Sequence, residues 1–270
     1  MPVGAASSMS RDGDELLALA EQAARTAGAL LRERFEAGGI RGIESKSSPT
    51  DLVSEADFAA QRAIRELIGA RRPDDGFLAE EEGANVAGSN GLRWVVDPLD
   101  GTINFLFGIP FWCVSVAVQD ETGTLVGVVH DPLRDETFTA IRGGRLLRNG
   151  AVPTASRPRA TALAQALVGT GFAYDAGVRG AQAQALGDLI SRVRDIRRCG
   201  AAALDLSWTA IGRFDAFFER TVKVWDTAAG ALLCRCAGLE VHELPDHPGL
   251  PGGILAAPPE LASELLAIVS

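Results

Sequence analysis

The sequence is short of the residues that mark several protein classes, and each shortage removes a function. It holds four cysteines, Cys113, Cys199, Cys234 and Cys236, with no CxxC pair and too few for a disulfide scaffold, so they read as reduced, mostly buried thiols of a cytoplasmic protein. Its three histidines, His130, His242 and His247, are scattered and make no HExxH pattern, which argues against zinc. No stretch of about eighteen apolar residues occurs, and the opening MPVGAASSMS lacks a basic segment followed by an apolar one. Neither a membrane span nor a secretory leader is therefore expected. No Lys/Arg-rich stripe offsets the formal net charge of −9, so nucleic acid and anionic membranes are not expected as partners, and any bound phosphate needs local help.

What is present is material for a large core: 270 residues, 47% of them hydrophobic and 23% charged. One merged body over residues 1–270 is expected, with a sheet-rich half to about residue 155 and an alternating half after it. From Asp12 to Ala37 the residues Leu16, Leu19, Ala20, Ala23, Ala27, Leu30, Leu31 and Phe35 recur at helical spacing before Gly38-Gly39. A polar loop from Glu44 to Asp51 leads to Ser54-Glu55-Ala56-Asp57, which reads as a capping box opening a second helix that ends before Pro73. Short apolar runs at Phe77-Leu78, Trp94 to Val96, Phe111 to Val118, Leu125 to Val129 and Phe138 to Ile141 read as strands of an antiparallel or mixed sheet. A strand near Leu167 and a helix from Ala181 to Val193 begin the alternating half. A strand at Asp195 to Arg198, a helix from Ala201, a strand at Phe214 to Glu219, a helix at Thr227 to Ala237 and a strand at Leu239 to Leu244 continue it. Layered α and β structure is the expected fold class.

Trp94-Val95-Val96-Asp97-Pro98-Leu99-Asp100-Gly101-Thr102 runs an apolar strand directly into two acids, a glycine and a threonine. Pro98 fixes the backbone, and the spacing lets Asp97 and Asp100 converge on one cation while the intervening carbonyl stays free to coordinate. Gly101-Thr102 then offers backbone N–H groups to a phosphate oxygen. A plain surface turn is the competing reading, since Asp-Pro and Asp-Gly both form turns. A covalent aspartyl-phosphate mechanism fits less well, because its two aspartates stand two apart and here two residues intervene. The other acids each have a bland alternative: Glu80-Glu81-Glu82 as a solvated run, Asp57 and Asp226 as helix caps, Glu219 as an exposed charge, with Lys46 an ordinary loop residue.

Taken in order, Lys46-Ser47-Ser48-Pro49 with Asp57, Glu80-Glu81, Asp97-Pro98-Leu99-Asp100-Gly101-Thr102 and Trp225-Asp226-Thr227-Ala228-Ala229-Gly230 closely resemble the inositol monophosphatase family across nearly the whole chain. The resemblance implies the five-layered αβαβα sandwich of the inositol monophosphatase and fructose-1,6-bisphosphatase type, as a homodimer inhibited by lithium. It implies Mg²⁺ as cofactor, two to three ions per site, and a small phosphorylated polyol as substrate. Glu80, Asp97 and the Leu99 carbonyl would hold one ion, and Asp97, Asp100 and Asp226 a second. Asp57 with Glu80 would reach a third, mainly through water. Thr102 with Glu80 would orient the attacking water, the Gly101 and Thr102 amides would contact phosphate, and Glu219 with the Gly200-Ala201-Ala202 backbone would face a sugar-like ring.

All-oxygen ligands suit Mg²⁺ better than zinc, and five acids around a phosphate dianion repel it unless cations are present. The chain departs from the family in Ala79, where glycine is usual, and in Ala201, where serine or threonine is usual; neither removes a metal ligand, and the second deletes a hydroxyl near the ring. Inositol 1-phosphate is the expected substrate. Fructose bisphosphate, histidinol phosphate and 3′-phosphoadenosine phosphate are the alternatives within the family, with Ile103 standing where the histidinol-phosphate branch often has lysine. A non-catalytic regulatory binding protein is the alternative of another class.

Overall fold

The apolar periodicity of the opening segment becomes helix α1 (Val3–Glu36), whose Leu16, Leu19, Ala20, Ala23, Ala27 and Leu31 are buried. The structure is a computed structural model that describes residues 3–38, 44–45, 52–81 and 85–270, with side-chain detail from Asp12 onward. The Lys46-Ser47-Ser48-Pro49 motif and Glu82-Gly83 lie outside the described residues. The helix begins nine residues before the predicted Asp12 and ends at Glu36, with the chain turning at Gly38, whose φ is +65°.

Two short strands, β1 (Glu44–Ser45) and β2 (Leu52–Val53), pair antiparallel and lead to α2 (Glu55–Arg71). The predicted capping box is formed: the Ala56 N–H donates to Ser54 Oγ at 3.2 Å, and the Ser54 N–H donates to Asp57 Oδ2 at 2.9 Å. The helix stops at Arg71, ahead of Pro73.

The first sheet has six strands in the order β3-β4-β5-β6-β7-β8: β3 (Gly76–Ala79), β4 (Arg93–Asp100), β5 (Cys113–Asp120), β6 (Gly123–Asp131), β7 (Glu136–Ile141) and β8 (Leu147–Arg148). Only β3 and β4 run parallel; the rest form an antiparallel meander, with the short helix α3 (Thr102–Leu106) between β4 and β5. The second sheet has the order β10-β9-β11-β13-β12, from β9 (Leu167–Thr170), β10 (Asp195–Arg197), β11 (Ala216–Arg220), β12 (Glu240–Leu244) and β13 (Gly253–Ala257). Its β9 neighbours are parallel, while β13 enters antiparallel between β11 and β12.

Helices α4 (Ala176–Ile190), α5 (Ala202–Ala210), α6 (Val224–Cys236) and α7 (Pro259–Val269), with one 3-10 turn at Leu163–Gln165, complete the described elements. Three apolar clusters arrange them in five layers. The α1 and α2 residues pack with Val96, Val114 and Val128 on one face of the first sheet. Leu204, Leu206, Ala229 and Leu232 of α5 and α6 pack between Val95 and Ala117 of the first sheet and Phe217 and Ala256 of the second. Leu189 of α4 and Leu261 and Leu265 of α7 cover the outer face with Val168 and Leu255. The small residues of α6 permit this closeness: a β-carbon on Gly230 would stand 2.6 Å from Leu206 Cβ, and one on Gly127 would stand 3.0 Å from the Ala229 carbonyl oxygen.

The predicted α and β layering is observed, with corrections at element ends. Helix α4 starts at Ala176 rather than Ala181, where Asp175 accepts from the Val178 N–H at 2.9 Å. The last strand and helix, β13 and α7, extend the alternation past the predicted end at Leu244.

Candidate active site

In a regular strand Asp97 and Asp100, three apart, would face opposite sides of the sheet. Pro98 carries no N–H for the ladder, and the β4–β5 register slips between Asp97, opposite Ser115, and Asp100, opposite Cys113. This bulge turns both carboxylates to one cavity. Gly101 follows at φ +94°, and a β-carbon there would stand 3.0 Å from the Phe111 carbonyl oxygen and 3.1 Å from Ala201 Cβ, so both conformation and space call for glycine.

The cavity has a volume of about 490 Å³. Its wall carries Glu80, Asp97, Leu99, Asp100, Gly101, Thr102, Gly200, Ala202, Glu219 and Asp226. Each is held by its own element. Glu80 follows β3, with its N–H donating to the Val96 carbonyl at 3.2 Å, and the next residue is clamped by Gln61 of α2, which accepts from the Glu81 N–H at 3.1 Å. Asp97 Oδ1 accepts from the Leu99 N–H at 3.0 Å. Asp100 accepts from the Ala202 and Ala203 N–H groups at the start of α5, at 3.1 and 2.7 Å, and from the Cys113 thiol at 3.5 Å. Asp226, third residue of α6, accepts from the Lys223 N–H at 2.6 Å. Its cap role and its place on the cavity wall coexist.

Thr102, on the wall, pairs with Asp57, buried behind it. The Thr102 hydroxyl lies 3.0 Å from both Asp57 Oδ1 and the Leu99 carbonyl oxygen, and Asp57 Oδ2 accepts the Ser54 hydroxyl at 2.6 Å. Asp57 is wholly buried and reaches the site through Thr102 rather than standing on the cavity wall.

So many acids in a buried space hold their protons more tightly than usual. Burial, then the charges of Glu80, Asp100 and Asp226, pushes Asp97 well above the ordinary carboxylate range. Burial raises Asp100 to about 6, against the opposing pull of its two helix amides. Burial and neighbouring acids raise Asp226 to about 8. Glu219 is also pushed to about 8 by burial, with Arg198 the charge that opposes the shift. Its Oε2 is buried with no hydrogen-bond partner among the described residues.

Asp97 lies within hydrogen-bonding reach of both Glu80 and Asp226. Such contacts between carboxyl groups require either shared protons or cations between them. Among the described residues no three His, Cys, Asp or Glu side chains are already set as a closed metal cage. The donor set nonetheless suits a hard cation: four carboxylates and the Leu99 carbonyl, all oxygen, around one cavity.

The sequence-predicted residues are thus brought together, with two refinements. Ala201 is absent from the cavity wall, because its side chain packs toward Gly101. The Ala202 amide, expected to face a substrate ring, is taken up by Asp100. Sequence reasoning missed Gln61, and also Asn104, whose Nδ2 donates to the Phe111 and Cys199 carbonyls at 2.7 and 2.8 Å and fixes the turn before α5. It missed Asp205 too, fully buried one turn into α5 near Cys199; burial and then the charges of Glu219 and Asp100 push its carboxyl well above the ordinary carboxylate range. Phe172, Tyr174, Arg198 and Lys223 complete the outer wall without a motif to announce them.

Comparison with known proteins places this geometry. The profile of the inositol monophosphatase family matches residues 12–270. An inositol-1-monophosphatase of Mycobacterium leprae is 38% identical over 273 residues, covering 95% of this chain and 94% of that protein. A Nus factor SuhB of Pasteurella multocida is 39% identical over 254 residues, covering 93% of this chain and 94% of that protein. The crystal structure of the extragenic suppressor protein suhB of Bartonella henselae superposes with a TM-score of 0.85 at 34% identity, covering 95% of this chain and 98% of that one. With its carboxylate-lined cavity and a match along almost its whole length, this chain belongs to the inositol monophosphatase family and is a phosphoric monoester hydrolase.

Proposed function

We propose that the chain hydrolyses a small phosphorylated polyol, inositol 1-phosphate first among them, in a reaction that depends on Mg²⁺. The observation that carries this reading is the placement of Glu80, Asp97, Asp100 and Asp226 on one cavity wall, where burial and neighbouring acids push the pKa of Asp97, Asp100 and Asp226 above the ordinary range. Glu80, Asp97 and the Leu99 carbonyl would hold one ion and Asp97, Asp100 and Asp226 another, with Asp57 and Glu80 serving a third through water. Bound there, Mg²⁺ supplies acidification of water and neutralisation of the phosphate charge.

The chain's own residues do the rest. Thr102, restrained by Asp57, and Glu80 orient water toward phosphorus; the Gly101 and Thr102 amides hold phosphate oxygens. Glu219, with an unpartnered oxygen, accepts a hydrogen bond from a ring hydroxyl beside Gly200 and Ala202. Water adds to phosphorus, the polyol oxygen leaves and takes up a proton, and inorganic phosphate remains. A homodimer in the cytoplasm completes the proposal, the location on the strength of four free thiols.

Phosphate release is to be measured from inositol 1-phosphate, fructose bisphosphate, histidinol phosphate and 3′-phosphoadenosine phosphate, with and without Mg²⁺. Release should require Mg²⁺ and fall by more than about a hundredfold in Asp97→Asn. No release from any of the four by well-folded wild type would sink the proposal in favour of a binding protein.

A further inference from the structure

Strand β3 stands at the end of the first sheet, so only one of its two edges has a neighbouring strand of that sheet. Toward β4, the Gly76 and Glu80 N–H groups donate to the Leu92 and Val96 carbonyls at 2.8 and 3.2 Å. The other edge presents the N–H groups of Phe77, Ala79 and Glu81, and each finds a different partner. Phe77 exchanges both backbone hydrogen bonds with Val86, Ala79 donates to Asn85 Oδ1 at 3.3 Å, and Glu81 meets the side chain of Gln61.

The Gln61 contact is two-sided. Its Oε1 accepts from the Glu81 N–H at 3.1 Å, and its Nε2 donates to the Glu81 carbonyl at 3.3 Å. A carboxamide carries the same donor and acceptor as a backbone amide, so Gln61 takes the place of a strand residue just where β3 has ended. Gln61 and Glu81 are both buried, where a lost hydrogen bond is not replaced by water. Gln61 does not stand on the cavity wall; it acts on the site only through the backbone it holds. That backbone directly follows Glu80, which is therefore fixed on both sides, by its own N–H on β4 and by the next peptide on α2.

Helix α2 holds a second part of the same machinery. Asp57 lies four residues before Gln61, hence on the same helix face, and meets the Thr102 hydroxyl at 3.0 Å. One helix face thus anchors both Thr102 and the segment that carries Glu80. We propose that Gln61 is a positioning residue for hydrolysis, which sets the place of Glu80 relative to Thr102 through the Glu81 peptide. The inference rests on the phosphatase reading above, in which Glu80 and Thr102 orient water and Glu80 holds Mg²⁺. Misplacing such a pair slows the reaction without weakening a substrate that Gln61 does not touch. Mg²⁺ binding should register the same looseness, because the contacts behind a metal ligand set its orientation.

The test is Gln61→Met in the full chain, since methionine keeps the length of the side chain and removes both hydrogen-bonding groups. With inositol 1-phosphate at saturating Mg²⁺, kcat should fall roughly tenfold while KM stays within about twofold of wild type. In the substrate-free protein, the Mg²⁺ concentration that gives half of the thermal stabilisation should rise roughly tenfold. Ile64→Val, a buried change on the same helix that removes no hydrogen bond, is the control for lost packing: it should lower the thermal midpoint and leave kcat and the Mg²⁺ response as they are. Gln61→Asn, which withdraws the carboxamide by one methylene, carries the same expectation as Gln61→Met should the methionine variant fail to fold. An unchanged kcat, a loss that Ile64→Val shares, or a lower kcat with an unaltered Mg²⁺ response overturns the inference and leaves Gln61 a purely structural residue. Absence of turnover by well-folded wild type on any of the four phosphate esters removes the phosphatase reading instead, and wild type alone reveals it.

Discussion

At the scale of single residues, the site depends on positions where no side chain fits as much as on its acids. Gly101 joins the strand that carries Asp97 and Asp100 to the helix that carries Thr102. Its φ of +94° penalises any β-carbon, and the atoms of Phe111, Trp112 and Ala201 stand within 3.2 Å of where one would lie. Gly101→Ala should therefore cost about 1–3 kcal/mol of stability. It should also depress turnover, because the shift needed to relieve the clash moves the amides proposed to hold phosphate. Urea unfolding and phosphate release on the same preparation check this; a fully stable, fully active variant would show that the backbone accommodates the change. Gly171 is a parallel case, since a β-carbon there would overlap the Glu219 carboxyl group.

At the scale of elements, the start of α2 is both a structural cap and a support for the reaction. Ser54 gives its hydroxyl to Asp57 and takes the Ala56 N–H, and Asp57 in turn meets the Thr102 hydroxyl. Ser54→Ala should lower stability by about 1 kcal/mol, the usual worth of an N-cap. It should lower kcat more than it raises KM, because Asp57 and Thr102 lose their fixed orientation without losing a substrate contact. A change confined to stability would mean that Asp57 is held sufficiently by the Ser54 backbone N–H. Ser54-Glu55-Ala56-Asp57 was legible in the sequence because a cap and its partner lie three residues apart. The same holds for Asp97 to Thr102, where strand, bulge and turn are encoded in one continuous segment. Gln61 and Asn104 were not legible, since their partners are remote: Gln61 meets Glu81, 20 residues on, and Asn104 reaches Cys199, 95 residues away, contacts that only tertiary packing brings about. The order of the second sheet was hidden for the same reason. Strand β13 lies between β11 and β12 although it follows both, a choice made by long-range pairing and not by local pattern.

At the scale of the whole molecule, two buried systems titrate with opposite consequences for stability. In the metal-free protein the cavity acids have raised pKa values, Asp100 to about 6 and Asp226 and Glu219 to about 8. The folded state then binds more protons than the unfolded chain between their ordinary values and these, so stability falls as pH rises through that window. Mg²⁺ binds the ionised cluster, and its stabilisation should accordingly be larger at pH 8 than at pH 5 in thermal melts. His130 works the other way. It is buried between β6 and α1, with Nδ1 at 2.8 Å from Thr137 Oγ1 and its ring against Gly28. Burial, aided by the charge of Arg25, lowers its pKa to about 4. Between about 6.5 and 4 the unfolded chain binds the proton and the folded protein refuses it, so this contribution is complete at neutral pH and is lost as pH falls. Comparing wild type with His130→Gln in metal-free buffer separates the two systems, because the carboxylates are common to both proteins. The stability advantage of wild type should shrink by on the order of 2 kcal/mol between pH 7.5 and 4.5. An advantage that stays constant across that range would mean that the imidazole takes up its proton in place, and that the contact between α1 and the first sheet opens enough to hydrate it.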